Sequence, residues 1–107
     1  MSIMLNGLEI ERTLVASTLH LDGPSELDKV GQDQFINPLI IDEYEYGVRV
    51  WIGSEYMPTN PELLSQGFSK GFCDIISMAI REECSWVKFD QDGIVYEDKA
   101  EFYEESW

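Results

Sequence analysis

Hydrophobic and polar positions follow strand periodicity in the first half of this chain. "RTLVASTLHL", residues 12–21, is rich in β-branched and apolar residues and ends at the turn signal "DGP", so it predicts a strand. "YGVRVWIG" alternates, which predicts a second strand with two different faces. Those faces carry Val48, Val50 and Ile52 on one side and Arg49 and Trp51 on the other. Pro38 interrupts "QFINPLIIDEYEY", which predicts an irregular segment or an edge strand.

The next pattern has the period of a helix. "TNPELLSQGFSKGFCDIISMAIREEC" offers Asn60 as an N-cap and Pro61 as the first helical residue, which predicts a helix over about 61–84. Its apolar face would carry Leu64, Phe68, Phe72, Ile75 and Ala79. Gly67 and Gly71 cost about 1 kcal/mol each relative to alanine. They predict either a close approach of the helix to a sheet or a bend.

A second change of period follows Cys84. "WVKF", the turn "DQDG" and "IVYE" together predict a β-hairpin. The predicted fold class is therefore α+β, with one long amphipathic helix packed on a mainly antiparallel sheet of about three to five strands. A length of 107 residues, 44% of them hydrophobic, predicts a single domain over 1–107 with a core of its own.

Charge narrows the choice of partners. The chain has 21 acidic and 7 basic residues, a net charge of -14. Direct binding to nucleic acid or to an anionic membrane surface is not expected, because both need lysine and arginine. The sequence has no apolar run long enough for a bilayer and no secretory signal pattern, so a cytoplasmic location is predicted. The expected partner is a basic or DNA-binding protein surface.

Cysteine and histidine offer little metal chemistry. Cys73 and Cys84 lie 11 positions apart on the predicted helix, about 16 Å along its axis. A disulfide needs Cα atoms within about 7 Å, so free thiols are predicted. Two cysteines and one histidine are fewer than the four ligands of a structural Cys/His zinc site, so the sequence predicts no such site and no cofactor.

The remaining polar candidates are few. His20 could act as a general base near Ser17 or beside Asp90 and Asp92, but a hydrogen-bonded structural histidine is the favoured interpretation. "DQDG" is similar to the start of a calcium loop, yet Ile94 stands where the fifth position needs an oxygen ligand. A turn-forming role for the two aspartates is favoured, and no metal is predicted.

The acidic C-terminal stretch "EDKAEFYEESW" interleaves carboxylates with large aromatic residues. A solvated terminus rarely needs three such aromatics, which predicts that the segment is docked, with Phe102 and Trp107 as anchors. Its carboxylates would then be held at fixed positions and could recognise a basic partner, while solubility alone is the alternative. The predicted interaction residues are Glu97, Asp98, Glu101, Glu104, Glu105 and Trp107.

One face of a monomer could match the charge of DNA only if nearly all of the acidic residues lay on that face. A duplex as long as the domain, about 30 Å, shows roughly 18 charges. The net charge of -14 is distributed along the whole chain. A homodimer with a continuous acidic stripe would come closer.

Several segments resemble a family of small, uncharacterised bacterial proteins. They are "ASTLHL", "YGVRVW", "CSWVKFDQDG" and the terminal Trp107, in that order, with 22–45 unmatched and Leu19 in place of a small residue. The resemblance implies a setting on plasmids and integrated mobile elements, often beside antirestriction genes, and it carries no activity.

Three functions are then considered. The favoured one is a small, acidic, non-enzymatic interaction protein of a mobile element that inhibits a DNA-binding host-defence complex. The second is an antitoxin or immunity-like protein that blocks a basic toxin. The third is a small enzyme or ligand binder that uses His20.

Overall fold

The computed structural model of the chain describes residues 2–23, 26, 40–52, 60–65 and 67–103. Helices and sheets are both present, so the predicted α+β class is confirmed. The strands are β1 Ser2–Leu5, β2 Leu8–Glu11, β3 Thr13–Ser17, β4 Ile40–Tyr44, β5 Gly47–Trp51 and β6 Trp86–Asp90. Among the described residues, the helices with defined bounds are α1 Asn60–Ser65 and α2 Lys70–Arg81, and a 3-10 turn spans Thr18–His20.

An N-terminal hairpin pairs β1 with β2 in antiparallel register. Asn6 and Gly7 connect the strands with φ angles of 53° and 76°, the conformation that a two-residue hairpin turn requires. Hydrophobic periodicity does not reveal this hairpin, because apolar residues such as Met4 and Leu8 are exposed. The Asn-Gly pair is the sequence signal that would have found it.

The main sheet has four strands in the order β3-β6-β5-β4. Its β4–β5 and β5–β6 pairs are antiparallel, whereas β3 and β6 run parallel. The alternation predicted for β5 is confirmed, since Val48 and Val50 are buried and Arg49 and Trp51 are half-buried on the other face. β4 lies at the edge of the sheet, as predicted for its segment, although Pro38 falls outside the described residues.

Two strand predictions are wrong in part. β3 ends at Ser17, four residues before the predicted end, because the Ser17 hydroxyl accepts a hydrogen bond from the Leu19 N–H (3.0 Å) and caps the 3-10 turn. The predicted hairpin after "DQDG" does not form, and residues 94–96 are not a strand. β6 already has β3 on one side and β5 on the other, so no edge of β6 is left for a hairpin partner.

The prediction of a single long helix over about 61–84 is also wrong. Gly67, with a φ of 91°, separates α1 from α2, so the bend is the correct alternative at this glycine. At Gly71 the other alternative holds, because the helix backbone lies close to neighbouring backbone there. A Cβ atom there would clash with the backbone oxygen of His20 and lie 2.7 Å from that of Glu101. Its neighbours are the 3-10 turn and the C-terminal segment, not a sheet.

The break changes which face of α1 is buried. Leu64 was expected in the core but is 50% exposed, and Leu63 is fully buried in its place. The predicted apolar face assumed one uninterrupted helix. Because the helix is interrupted at Gly67, the buried face of α1 does not continue that of α2. Beyond the break the prediction is confirmed, because Phe68, Phe72, Ile75 and Ala79 are all buried.

The core lies between α2 and the inner face of the main sheet. Phe72 stacks on Phe68 on one side and on Phe89 of β6 on the other, with ring centroids 4.7 and 5.6 Å apart. On the outer face, Trp51 and Trp86 meet edge to face at 5.0 Å, and the Arg49 guanidinium lies over Trp86. Within the described ranges no helix is both long enough and apolar enough to cross a membrane.

Candidate functional site

The C-terminal stretch 94–103, called here the docked segment, is bound to the fold by its backbone and its tyrosines. Docking was predicted for residues 97–107, and it is confirmed for 97–103, while residues 104–107 fall outside the described part of the chain. The segment is joined to β3 and the 3-10 turn by hydrogen bonds from Ser17 N–H to Ile94 O (2.8 Å), from the Tyr96 hydroxyl to Val15 O (2.7 Å) and from Tyr103 N–H to Leu19 O (2.8 Å), and by two further bonds at His20. The outer edge of β3 is therefore occupied.

His20 is at the centre of this arrangement and is fully buried. The Tyr96 N–H donates to His20 Nε2 (3.0 Å), so this nitrogen is an acceptor and the ring proton is on Nδ1. Nδ1 then donates to the Glu101 carbonyl (2.6 Å). The ring also stacks on Tyr96 at 6.0 Å and meets Phe102 edge-on at 6.4 Å. Both nitrogens are thus engaged in holding the docked segment.

A second set of contacts joins the docked segment to the start of α2. The Gly71 N–H donates to the Tyr103 hydroxyl (3.1 Å), and the Glu101 N–H donates to Asp74 Oδ2 (3.1 Å). Lys70 pairs with the same Asp74 oxygen at 2.8 Å, and this hydrogen bond raises the pKa of Lys70. The first turn of α2 therefore positions the segment around Glu101.

The predicted polar set does not form one hydrogen-bonded unit. Among the described residues no hydrogen bond joins His20 to Ser17, Asp90 or Asp92. Ser17 is buried, and its hydroxyl caps the 3-10 turn. Its Cα is paired with that of Asp90 in the β3–β6 register. The four residues therefore have separate structural roles in this fold.

The two aspartates shape the turn after β6. Asp90 accepts a hydrogen bond from the Tyr44 hydroxyl (2.6 Å) and a second from the Asp92 N–H (2.8 Å). The Tyr44 bond, followed by the Asp92 bond, lowers the pKa of Asp90, while burial and the Asp90 bond raise the pKa of Tyr44. This is the turn role favoured for "DQDG". Within the described part of the chain, no group of three or more acidic, histidine or cysteine side chains could hold a metal ion.

The acidic side chains of the docked segment point to solvent. Glu97, Asp98 and Glu101 are exposed, and Lys99 lies among them in sequence. Glu104, Glu105 and Trp107 fall outside the described residues. Of the two predicted anchors, Phe102 is half-buried against His20. The tyrosines at 96 and 103 are anchors that periodicity could not reveal, because they act through their hydroxyls and backbone.

Glu26 is a polar residue that the sequence analysis missed. Its side chain is only 4% exposed and accepts hydrogen bonds from the Asp22 N–H (2.7 Å), the Ser69 N–H (2.5 Å) and the Ser69 hydroxyl (2.5 Å). Glu26 thereby fixes the position of Ser69, the N-cap residue of α2. In a chain with 21 acids nothing in the local sequence distinguishes this carboxylate from the exposed ones.

Both cysteines are free and buried, which confirms the prediction of unpaired thiols. Burial, and then the nearby Glu26 carboxylate, raises the pKa of Cys73 to about 11. The thiolate is the reactive form of cysteine, so Cys73 is a poor nucleophile at neutral pH.

These features define an acidic α+β domain whose C-terminal segment is docked around a buried histidine. The family model described as "Family of unknown function (DUF5983) C-terminal domain" matches residues 13–103, and the chain belongs to this family. The match includes the segments around His20, β5 and β6 that carried the resemblance noted in the sequence. No curated protein and no solved structure matches the chain significantly.

Proposed function

We propose that the chain is a non-enzymatic protein-binding module whose docked segment recognises a basic protein surface. One observation carries this proposal: Glu97, Asp98 and Glu101 are exposed, while hydrogen bonds to His20 and Asp74 hold the backbone of Tyr96 and Glu101 at the two ends of this stretch. The carboxylates are therefore presented from an ordered platform. Less conformational entropy is lost on binding than for a disordered acidic tail.

The net charge supports the same role. A charge of -14 accelerates the approach of a basic partner, and complementary charges at the contact select that partner over others. His20 supports a binding role more than a catalytic one, because backbone groups occupy both of its nitrogens. A general base needs one nitrogen available to the proton that it removes.

The partner proposed first is a DNA-binding complex of host defence, and the setting is a mobile genetic element. Support for this setting comes from the resemblance of the His20, β5 and β6 segments to proteins of plasmids and integrated elements. A basic toxin, blocked by an immunity-like protein, is the second proposed partner. Both present the lysine- and arginine-rich surface that the docked segment would contact.

The test is an association experiment with partners recovered from the native host cell. We expect Glu97→Gln, Asp98→Asn and Glu101→Gln, combined in one variant, to slow association and leave the melting temperature nearly unchanged, since the side chains are exposed. The association rate of the parent should fall as salt rises, because exposed charges are screened beyond about 8 Å at physiological ionic strength. Stopped-flow or surface-binding kinetics would measure both effects.

A matched control removes the same charge elsewhere. Glu9→Gln, Glu11→Gln and Glu45→Gln change three exposed acids of β2 and the β4–β5 turn. This control should associate nearly as fast as the parent. Equal slowing in both triple variants would mean that only total charge matters, and a partner indifferent to both the variant and salt would refute recognition by the docked segment.

A further inference from the structure

A groove lies between β3, the C-terminal end of α2 and the docked segment. Its volume is about 510 Å³, within the range of small-molecule sites. Apolar lining comes from Leu14 and Met78, which pack against the core, and from the ring of Tyr96. The Tyr96 hydroxyl is already bonded to Val15 O, so this wall is held in place.

Charged residues line the rest of the groove. They are Arg81, Lys99 and Glu82, which together carry a net charge of +1. Lys70 and Lys88 lie within 4.0 Å of carboxylates, but Arg81 and Lys99 have no carboxylate that close among the described residues. In a chain of net charge -14, two cations without such a partner therefore border the same partly apolar groove.

We propose that this groove binds a small amphipathic monocarboxylate, with its apolar body against Leu14, Met78 and Tyr96 and its carboxylate at Arg81 and Lys99. The lining supplies what such a ligand needs, an apolar floor beside one net positive charge. A neutral apolar molecule would leave the net charge of +1 in the groove unbalanced, and a dianion would exceed it. This site does not depend on the proposed recognition of a basic partner.

Decanoate is a suitable probe, with decanol as its neutral counterpart. We expect decanoate, below its micellar range, to shift the backbone amide signals of Leu14, Met78 and Tyr96 in two-dimensional NMR. Combining Arg81→Gln with Lys99→Gln should weaken decanoate binding by about two- to thirtyfold, the effect of losing two exposed ion pairs. Decanol should bind the parent and this variant equally and more weakly than decanoate binds the parent.

The control removes two positive charges from other places. Arg12→Gln combined with Lys88→Gln should bind decanoate as the parent does. The proposal is wrong if decanoate leaves the groove signals unmoved, if the Arg81 and Lys99 variant binds it as well as the parent, or if both double variants weaken it equally. Binding of a capped acidic peptide in the absence of decanoate binding would also overturn it, since the groove would then be a peptide site.

Discussion

His20 contacts a segment that lies far away along the chain. The Glu101 carbonyl that accepts its proton is 81 positions later, and the Tyr96 N–H that donates to its ring is 76 positions later. A buried imidazole can serve as donor and acceptor at once only in its neutral form with one defined tautomer. The chain's one histidine therefore connects the N-terminal half of the fold to the docked segment.

Replacing His20 by phenylalanine should destabilise the fold. The Tyr96 N–H and the Glu101 carbonyl would lose their partners beside a ring that is fully buried in the parent. Each unsatisfied group costs about 1–3 kcal/mol, so a loss of roughly 2–6 kcal/mol in the free energy of unfolding is expected. Urea unfolding followed by tryptophan fluorescence measures it. Amide exchange at Tyr96 and Tyr103 should accelerate in the variant.

Tyr96→Phe is the control for His20→Phe, because it removes only the hydroxyl bond to Val15 O. Its cost should be nearer 1 kcal/mol. An Nε2–H tautomer of His20 in the parent, observed by ¹⁵N NMR of the imidazole, would contradict the arrangement directly, whether or not the variants fold.

Cys73 makes stability depend on pH in the alkaline range. Its pKa is raised to about 11 in the fold, so the folded state holds the thiol proton more tightly than the unfolded chain does. The stabilising contribution is complete below the ordinary thiol pKa of about 8.5 and is lost as pH rises towards 11. Because each pKa unit corresponds to about 1.4 kcal/mol, the free energy of unfolding should fall about 3 kcal/mol further in the parent than in Cys73→Ala over this range.

The Cys73 prediction is a comparison of pH profiles, because tyrosine and lysine also titrate in this range. Urea unfolding at a series of pH values measures the two profiles. Parallel profiles for the parent and Cys73→Ala would show that the thiol is equally easy to ionise in both states. Cys84→Ala keeps Cys73 and should retain the steeper decline of the parent.

At the scale of elements, glycine and serine decide where helices begin and end. Gly67 ends the α1 segment with a positive φ, and Ser69 starts α2 by accepting a hydrogen bond from the Phe72 N–H (3.2 Å). The same Ser69 hydroxyl donates to the buried carboxylate of Glu26. The cap of α2 is thus supported by a residue from a distant part of the chain, 43 positions earlier.

A double-mutant cycle tests this support. Glu26→Gln should lower the free energy of unfolding by about 1–3 kcal/mol, since an amide has one acceptor oxygen where the carboxylate receives three hydrogen bonds. Ser69→Ala should cost about 0.5–2 kcal/mol through the lost cap. The double variant should cost less than the sum by about 1 kcal/mol or more, because the two changes remove one shared bond.

Urea unfolding of the four proteins gives the coupling between Glu26 and Ser69. Amide exchange in the first turn of α2 shows whether the loss is local. Additive costs would mean that the short bond between these side chains contributes nothing, even though each residue matters alone.

In the molecule as a whole, the four-stranded sheet positions both α2 and the docked segment. One face packs on α2, and the outer edge of β3 is occupied by the docked segment through Ile94 and Tyr96. β6 is paired with β3 on one side and with β5 on the other, so it lies inside the sheet. Neither of its edges is available to a hairpin partner that would follow it in sequence. The chain after β6 is free to cross β3 and reach His20, which makes the proposed acidic surface and the proposed groove neighbours.

Local periodicity and composition are enough to predict several features of this protein. These are the α+β class, the two-faced strand β5, the apolar face of α2 from Phe72 to Ala79, the free thiols and the acidic character of the chain. The strand and helix faces follow from residues close together in sequence, because the periods of strands and helices are set by backbone geometry. The acidic character follows from composition, and the free thiols from the spacing of the two cysteines.

The features that join distant residues could be read only from the three-dimensional arrangement of the chain. The place of β6 between β3 and β5, the burial of Glu26 under Ser69 and the tautomer of His20 all depend on groups far apart along the chain. Local turn chemistry at "DQDG" is the same whether or not a hairpin follows. What excludes the hairpin is that both hydrogen-bonding edges of β6 are already used by its neighbouring strands.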